Sequence, residues 1–389
     1  MRSEWADAAM AFGADLDEVL AEDAANLVFS PSSVAGALRM AWYGAQGRTA
    51  AELARALHLE QAADPGPAAG AGDAGGAGDA GGVGPVTDGR GDAVFRAPVT
   101  AWVQAGFPVR PGYAARLSHL AGAVLASADF AADPERARAA INDVIAGQTA
   151  GKITGLLPPG SVTALTRLLL ASAVYLKAAW AVPFPADATD AASFYPQGPD
   201  RPGVTVPVMR GTATRDYLRG DGYQAVLLPY RDIGLTMAVL LPDGPLAALR
   251  HKAAAAGLAG LLAGAARHQV TLALPRFRLT SAFDLVPALR RLGVTEAFGP
   301  QADFSGITGG QGSGPLHIGA VAHQAYIDVD EHGTEAAAAT GVAIAARAAV
   351  KAPPPVTMIV DRPFLFAILD LATGLPVFQG HVSQPVRDK

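Results

Sequence analysis

The apolar positions of this chain change period part of the way along it. In the first part they recur at helical spacing. "DAAMAFGADLDEVL" (7–20) carries one apolar face, and "SPSSVAGALRMAWYGA" (30–45) starts on Ser-Pro and is apolar nearly all round, as a buried helix is. "GRTAAELARALHL" (47–59) has Thr49 three residues ahead of Glu52, which predicts a capping box. Ordered pattern resumes at "AVFRAPVTAWVQAGFPV" (93–109), followed by a helix within "DPERARAAINDVIAGQTAGKI" (133–153). From Leu168 strand signals dominate, in "RLLLASAVYLKAAW" (167–180), "GYQAVLLPYRDIGLTMAVLLPDG" (222–244) and "HQVTLALPRFRLTSAF" (268–283). Helical pieces intervene at 245–266 and 284–294. Helices first and mostly strands later predict an α+β fold with a largely helical N-terminal part. The apolar run from Leu168 to Leu176, between Arg167 and Lys177, is half a membrane span and suits a buried central strand.

Two segments break the pattern. Residues 64–92 are mostly Gly, Ala, Pro and Asp and repeat "AGDAGG" in tandem, so they cannot bury enough apolar surface to offset their ordering entropy. A flexible surface insertion is expected there. Its two GxGxxG matches lack the strand and helix that a dinucleotide site requires. The second segment is "EHGTEAAAATGVAIAARAAV" (331–350), set between the strand signals "AYIDVD" and "PPPVTMIVDRPFLFAILD". Its alanines favour helix, yet it holds no large apolar side chain before Ile344 and is too long for an ordinary connection.

Composition narrows the function. Half of the 389 residues are hydrophobic, ample for a large core, and length alone suggests two or three domains. A net charge of −5 with 17% charged residues argues against a nucleic-acid partner. The absence of cysteine excludes disulfides and thiol chemistry. The N-terminus lacks the basic start and apolar run of a secretory leader, which points to a cytoplasmic, membrane-free protein and leaves an extracellular destination open. The Ala, Gly and Pro excess hints at a bacterial source.

Catalytic and metal motifs are weak. "DVDEHG" (328–333) imitates the start of a calcium loop, but its twelfth position is Ala339 where a bidentate Glu belongs. Neither an HExxH nor a GxSxG sequence occurs, and His323 on an apolar strand reads as a hydrogen-bonded core histidine. Asp328 and Asp330 would share a strand face, as a solvated strand end does. No catalytic residue, metal or cofactor is expected.

"DEHGTEAAAAT" resembles the hinge of the serpins, the serine-protease-inhibitor superfamily, and an ordered series of further pieces agrees with it. These are "NLVFSPSSVAGALRMAWYGAQGRTAAEL" (26–53), "INDVIAGQTAGKITGLLP" (141–158), "YLKAAWAVPF" (175–184), "LPRFRL", "LRRLGVTEAF", "ADFSGI", "DRPFLFAILD" and "FQGHVSQP". The resemblance implies a single domain over 1–389 with the serpin fold, a large central mixed sheet, further sheets and an exposed reactive-centre loop at 331–355. It further implies a hinge of Glu331, Gly333, Thr334, Glu335, Ala336, Ala337, Ala338, Ala339 and Thr340, a breach tryptophan at Trp180, and a shutter of Ser30, Ser33, Ser172 and His323. There are departures: Ser172 stands where the family has Asn, Val144 where Trp is usual, and Ala178 replaces a Gly. The Gly-rich insertion takes the place of the helix that binds heparin in some relatives.

The implied mechanism is that a protease cleaves the loop, whose N-terminal part then enters the large sheet as a new strand. Counted from Gly333, one strand face holds Thr334, Ala336, Ala338, Thr340, Val342 and Ile344, all uncharged; the other holds Glu335, Ala337, Ala339, Gly341 and Ala343. Burying a charge would slow insertion, so this alternation suits an inhibitor. The family's cut falls fourteen residues beyond the hinge Gly, which places it between Arg347 and Ala348, with Lys351 as the fallback bait. An Arg bait implies a trypsin-like serine protease as covalent partner of a monomeric inhibitor. The alternative is a non-inhibitory serpin, a binding or chaperone-like protein whose loop is only a substrate.

Overall fold

The computed structural model describes residues 4–22, 25–59, 86–87, 93–120, 122–310, 315–335 and 354–385. Its helices are α1 (Glu4–Leu20), α2 (Pro31–Gly44), α3 (Gly47–Ala56), α4 (Pro111–Leu117), α5 (Pro134–Gln148), α6 (Leu246–Leu262), α7 (Val286–Arg291) and α8 (Ser305–Thr308). The strands are β1 (Asn26–Phe29), β2 (Val86–Thr87), β3 (Val94–Arg96), β4 (Val99–Gln104), β5 (Ala123–Ala128), β6 (Leu168–Ala179), β7 (Asp190–Phe194), β8 (Val204–Gly220) and β9 (Tyr223–Pro229). They continue with β10 (Leu235–Pro242), β11 (Ala266–Pro275), β12 (Phe277–Asp284), β13 (Ile318–Val329), β14 (Gly333–Thr334), β15 (Val356–Ile359), β16 (Phe364–Asp370) and β17 (Pro376–Val382).

The strands form two mixed sheets. The first runs β12-β13-β14-β6-β3-β2, with β4 and β5 continuing from β6 and β13 also pairing directly with β6. The second runs β1-β17-β16-β10-β9-β8-β11-β15, with β7 beside β8. A break at Arg276 divides one apolar run between the two sheets, because β11 belongs to the second and β12 to the first.

Alternation along each strand sends side chains into separate cores. Val174, Leu176 and Ala178 of β6 meet Val226, Met237 and Phe366 between the sheets. Leu168 and Leu170 pack instead on Phe12, Leu38 and Met40 of α1 and α2. On the opposite face Leu169, Ala171 and Ala173 lie under Ile141 and Ile145 of α5. Leu249 and Leu261 of α6 cover the outer face of the second sheet against Leu240 and Leu365. The run 168–176 of β6 is thus apolar on both faces because both are covered.

Two expectations need correction. The capping box does not form: α3 starts at Gly47 after Gln46, so Thr49 already lies inside the first turn. Thr49 Oγ1 instead accepts from Asp303 N at 2.9 Å, and the Glu52 carboxylate accepts from Thr295 N at 2.7 Å and Glu296 N at 2.8 Å. The helical stretch after Pro245 is broken at Gly257, whose φ of 68° and ψ of 157° only glycine adopts readily. Within the Gly-rich segment, Val86–Thr87 pair antiparallel with Phe95 and Val94; the rest of 64–92 lies outside the described residues.

Candidate strand-insertion site

The site begins with two strands that lie side by side. β6 and β13 are parallel neighbours from Leu168↔Ile318 to Tyr175↔Tyr326. Beyond Tyr175 and Tyr326 they fork, and β14 occupies the fork. Gly333 and Thr334 pair antiparallel with Ala179 and Ala178 of β6, and Thr334 also pairs with Val329 of β13. The approach at Gly333 is so close that a Cβ there would lie 2.0 Å from the Ala178 carbonyl oxygen. Only glycine fits.

A short turn delivers the chain to this fork. Asp330 Oδ1 accepts from His332 N at 2.8 Å and Gly333 N at 3.3 Å. The segment after β6 then takes three successive carbonyls: Trp180 Nε1 donates to Asp330 O, Phe184 N to Glu331 O, and Trp180 N to His332 O, at 2.8–2.9 Å. Trp180 stacks on Tyr230 with centroids 4.5 Å apart, and the Tyr230 hydroxyl meets Thr334 Oγ1 at 2.5 Å. Thr334 is fully buried, and burial raises the Tyr230 phenol strongly, so that hydroxyl stays protonated.

Glu331 is buried too, and Thr189 Oγ1 and Arg276 bind it, the Arg276 Nε at 2.6 Å. Burial works to raise its pKa, but the hydrogen bonds from Thr189 and Arg276 outweigh it and hold the carboxyl below its ordinary value. Ligand atoms of Asp330, Glu331 and His332 lie within 4.8 Å of one another. Arg276 already neutralises Glu331, however, and Asp330 is committed to the turn, so the trio lacks the free charge of a cation site.

Glu335 turns to the opposite face from Thr334. Its φ is +49°, its N–H donates to Asp328 O at 2.8 Å, and its carboxylate pairs with Lys152 Nζ. Arg278 holds Asp328 beside it at 2.6 Å.

Lower in the sheet, Ser30, Ser33, Ser172 and His323 lie together, and His323 and Ser172 are register partners across β13 and β6. Ser30 N donates to His323 Nε2 at 3.0 Å, so Nε2 carries no proton and Nδ1–H donates to Ser172 Oγ at 2.8 Å. Burial pushes the His323 pKa down to about 3, which keeps the ring neutral. Ser30 also caps α2, its Oγ accepting from Ser33 N at 3.2 Å. Ser33 therefore enters through its backbone; its own hydroxyl is buried with no hydrogen-bond partner among the described residues. A strand passing between β6 and β13 has to separate the Ser172–His323 bond. Ser172 offers a single hydroxyl there, with no amide to spread over several partners.

Among the named hinge residues, Glu331, Gly333, Thr334 and Glu335 are thus brought to the fork with Trp180. Ala336, Ala337, Ala338, Ala339, Thr340, Arg347, Ala348 and Lys351 lie outside the described residues. Sequence reasoning missed Tyr230, Arg276, Thr189 and Lys152. Each sits on an element distant in the chain, and none belongs to a local pattern that marks it. Among the described residues no helix is long and apolar enough to cross a membrane.

Comparison with known proteins agrees with this arrangement. A family profile described as Serpin (serine protease inhibitor) matches residues 7–385. An uncharacterised serpin-like protein of Thermococcus kodakarensis is 34% identical over 376 residues, covering 96% of this chain and 84% of that protein. The leukocyte elastase inhibitor of Bos taurus is 33% identical, covering 96% and 97%. The crystal structure of a highly specific serpin of the insect Tenebrio molitor superposes with a TM-score of 0.80 at 29% identity, over 98% of each chain. Uncleaved ovalbumin, at 22% identity and a TM-score of 0.78 over 98% and 100%, shares the fold. The forked sheet, the strand begun at Gly333 and these likenesses lead to one conclusion: the chain belongs to the serpin superfamily.

Proposed function

We propose that this protein inhibits trypsin-like serine proteases as a suicide substrate, cut between Arg347 and Ala348. The protease serine would form an ester with the Arg347 carbonyl, and the Ala348 amine would leave with the C-terminal segment. The chain up to Arg347 would then continue the strand begun at Gly333–Thr334 between β6 and β13. The observation that carries this reading is the fork: two parallel strands already parted at one end, with uncharged Thr334 seated on the inner face. The alternation that follows in sequence keeps that face free of charge. In this reading Ser30, Ser33, Ser172 and His323 form the closure that the strand opens, and Trp180 with Tyr230 forms its entrance.

Incubation with trypsin, followed by denaturing electrophoresis and mass spectrometry of the released peptide, tests the proposal. A denaturant-resistant complex and a peptide starting at Ala348 are expected. A peptide starting after Lys351 would move the bait, and cleavage without a complex would refute inhibition. Arg347→Glu should abolish trypsin trapping.

A further inference from the structure

Glu335 is where the inserted strand stops, and its backbone is the reason. An L-residue other than Gly, Asn or Asp at a φ of +49° is strained and persists only where its surroundings over-determine it. Three contacts do so. The amide is held by Asp328 O, and the carboxylate by Lys152 at the end of the turn that follows α5 and by the Tyr175 hydroxyl. The Glu335 carboxylate, through its hydrogen bond and charge, holds the Lys152 ammonium above its ordinary value, against the opposing effect of burial. Lys152 also lies 5.7 Å from the centre of the Tyr326 ring, at the last direct pair of β6 and β13.

The surroundings of this pair differ from the rest of the α5 interface. Below it, Ile141 and Ile145 pack on Leu169, Ala171 and Ala173. Towards the fork polar groups appear: the Tyr175 hydroxyl meets the Glu335 carboxylate, and Gln324 Oε1, beside Ala173, is buried without a hydrogen-bond partner among the described residues. Residues entering the fork thus meet polar groups that can exchange partners.

We infer that Lys152 is a positioning residue that latches the hinge, its ion pair with Glu335 keeping the chain in a left-handed turn and delaying entry of the residues that follow. An extended φ at Glu335 redirects its Cβ and breaks the pair. Without Lys152 the strained turn loses an anchor and relaxes towards the extended backbone that insertion requires. The inference rests on the proposed insertion of this loop, but its first readout needs no protease.

That readout is hydrogen exchange of the Glu335 amide in the intact protein. Lys152→Met is expected to speed exchange about fivefold, the effect of a partly exposed ion pair of about 1 kcal/mol. Lys152→Arg should leave it unchanged. In a Glu335→Gly background, where glycine adopts the turn without strain, Lys152→Met should have no effect. On warming without protease, Lys152→Met should also convert faster than the parent to a form more resistant to unfolding. Unchanged exchange in Lys152→Met, or an equal effect in the Glu335→Gly background, would overturn the latch. Failure of the parent protein to trap trypsin would overturn the proposed function and leave the exchange result to judge Lys152. A trypsin complex together with unchanged exchange would sink the latch alone.

Discussion

His323 shows how one buried side chain ties pH to stability. Its ring accepts from Ser30 N and donates to Ser172, and the first of these bonds requires the neutral form. Its native pKa of about 3 lies below the ordinary 6.5. Between those values the unfolded chain binds a proton that the native protein refuses, so stability falls as pH drops through that window. The slope is on the order of 1 kcal/mol per pH unit. His323→Gln should melt lower at neutral pH but show a flatter profile of Tm between pH 6.5 and pH 4. Parallel profiles for parent and variant would show that His323 is protonated in the native state. The sequence pointed to His323 as a hydrogen-bonded core histidine, and joined it to its serines by resemblance alone. The tautomer and the idle Ser33 hydroxyl follow from backbone placement that no local pattern encodes.

β14 is two residues long, yet in the proposed function it is where insertion begins. Thr334 must enter a site with no exposed surface, beneath Tyr230 and opposite Ala178 and Val329. Thr334→Arg would place a charge there, so β14 should withdraw and insertion after cleavage should slow. With trypsin the variant is expected to be cleaved as a substrate, with the yield of covalent complex reduced at least about tenfold. Undiminished complex formation would show that insertion does not pass through this position. The period-2 pattern from Gly333 put Thr334 and Glu335 on opposite faces in advance, because side-chain direction in a strand depends on parity alone. It carried no sign that Glu335 would adopt a left-handed turn, since that turn depends on Asp328 and Lys152. The failed capping box has the same origin. Thr49 and Glu52 satisfy local criteria, but Asp303, Thr295 and Glu296 offer them better partners.

Under the proposed function, the molecule as a whole stands between two pairings of one sheet. β6 and β13 bond directly along most of their length, and a strand driven between them would add hydrogen bonds and apolar burial on both sides. Protein cut at Arg347 should therefore melt above the intact form, by roughly 10 °C or more. Scanning calorimetry of the two forms decides this, and equal melting would exclude insertion of the cleaved loop.

From the order of residues alone come the α+β succession, the buried run of 168–176, the weakness of the catalytic motifs and the uncharged face after Gly333. These are properties of periodicity and composition, which short windows of chain contain in full. Folding in space settled the rest: where the strand halts, which proton His323 carries, why Glu331 is ionised beside Arg276, and what Lys152 holds. Each depends on groups dozens or hundreds of residues apart, and the energy of a buried polar group is fixed by the partner it meets.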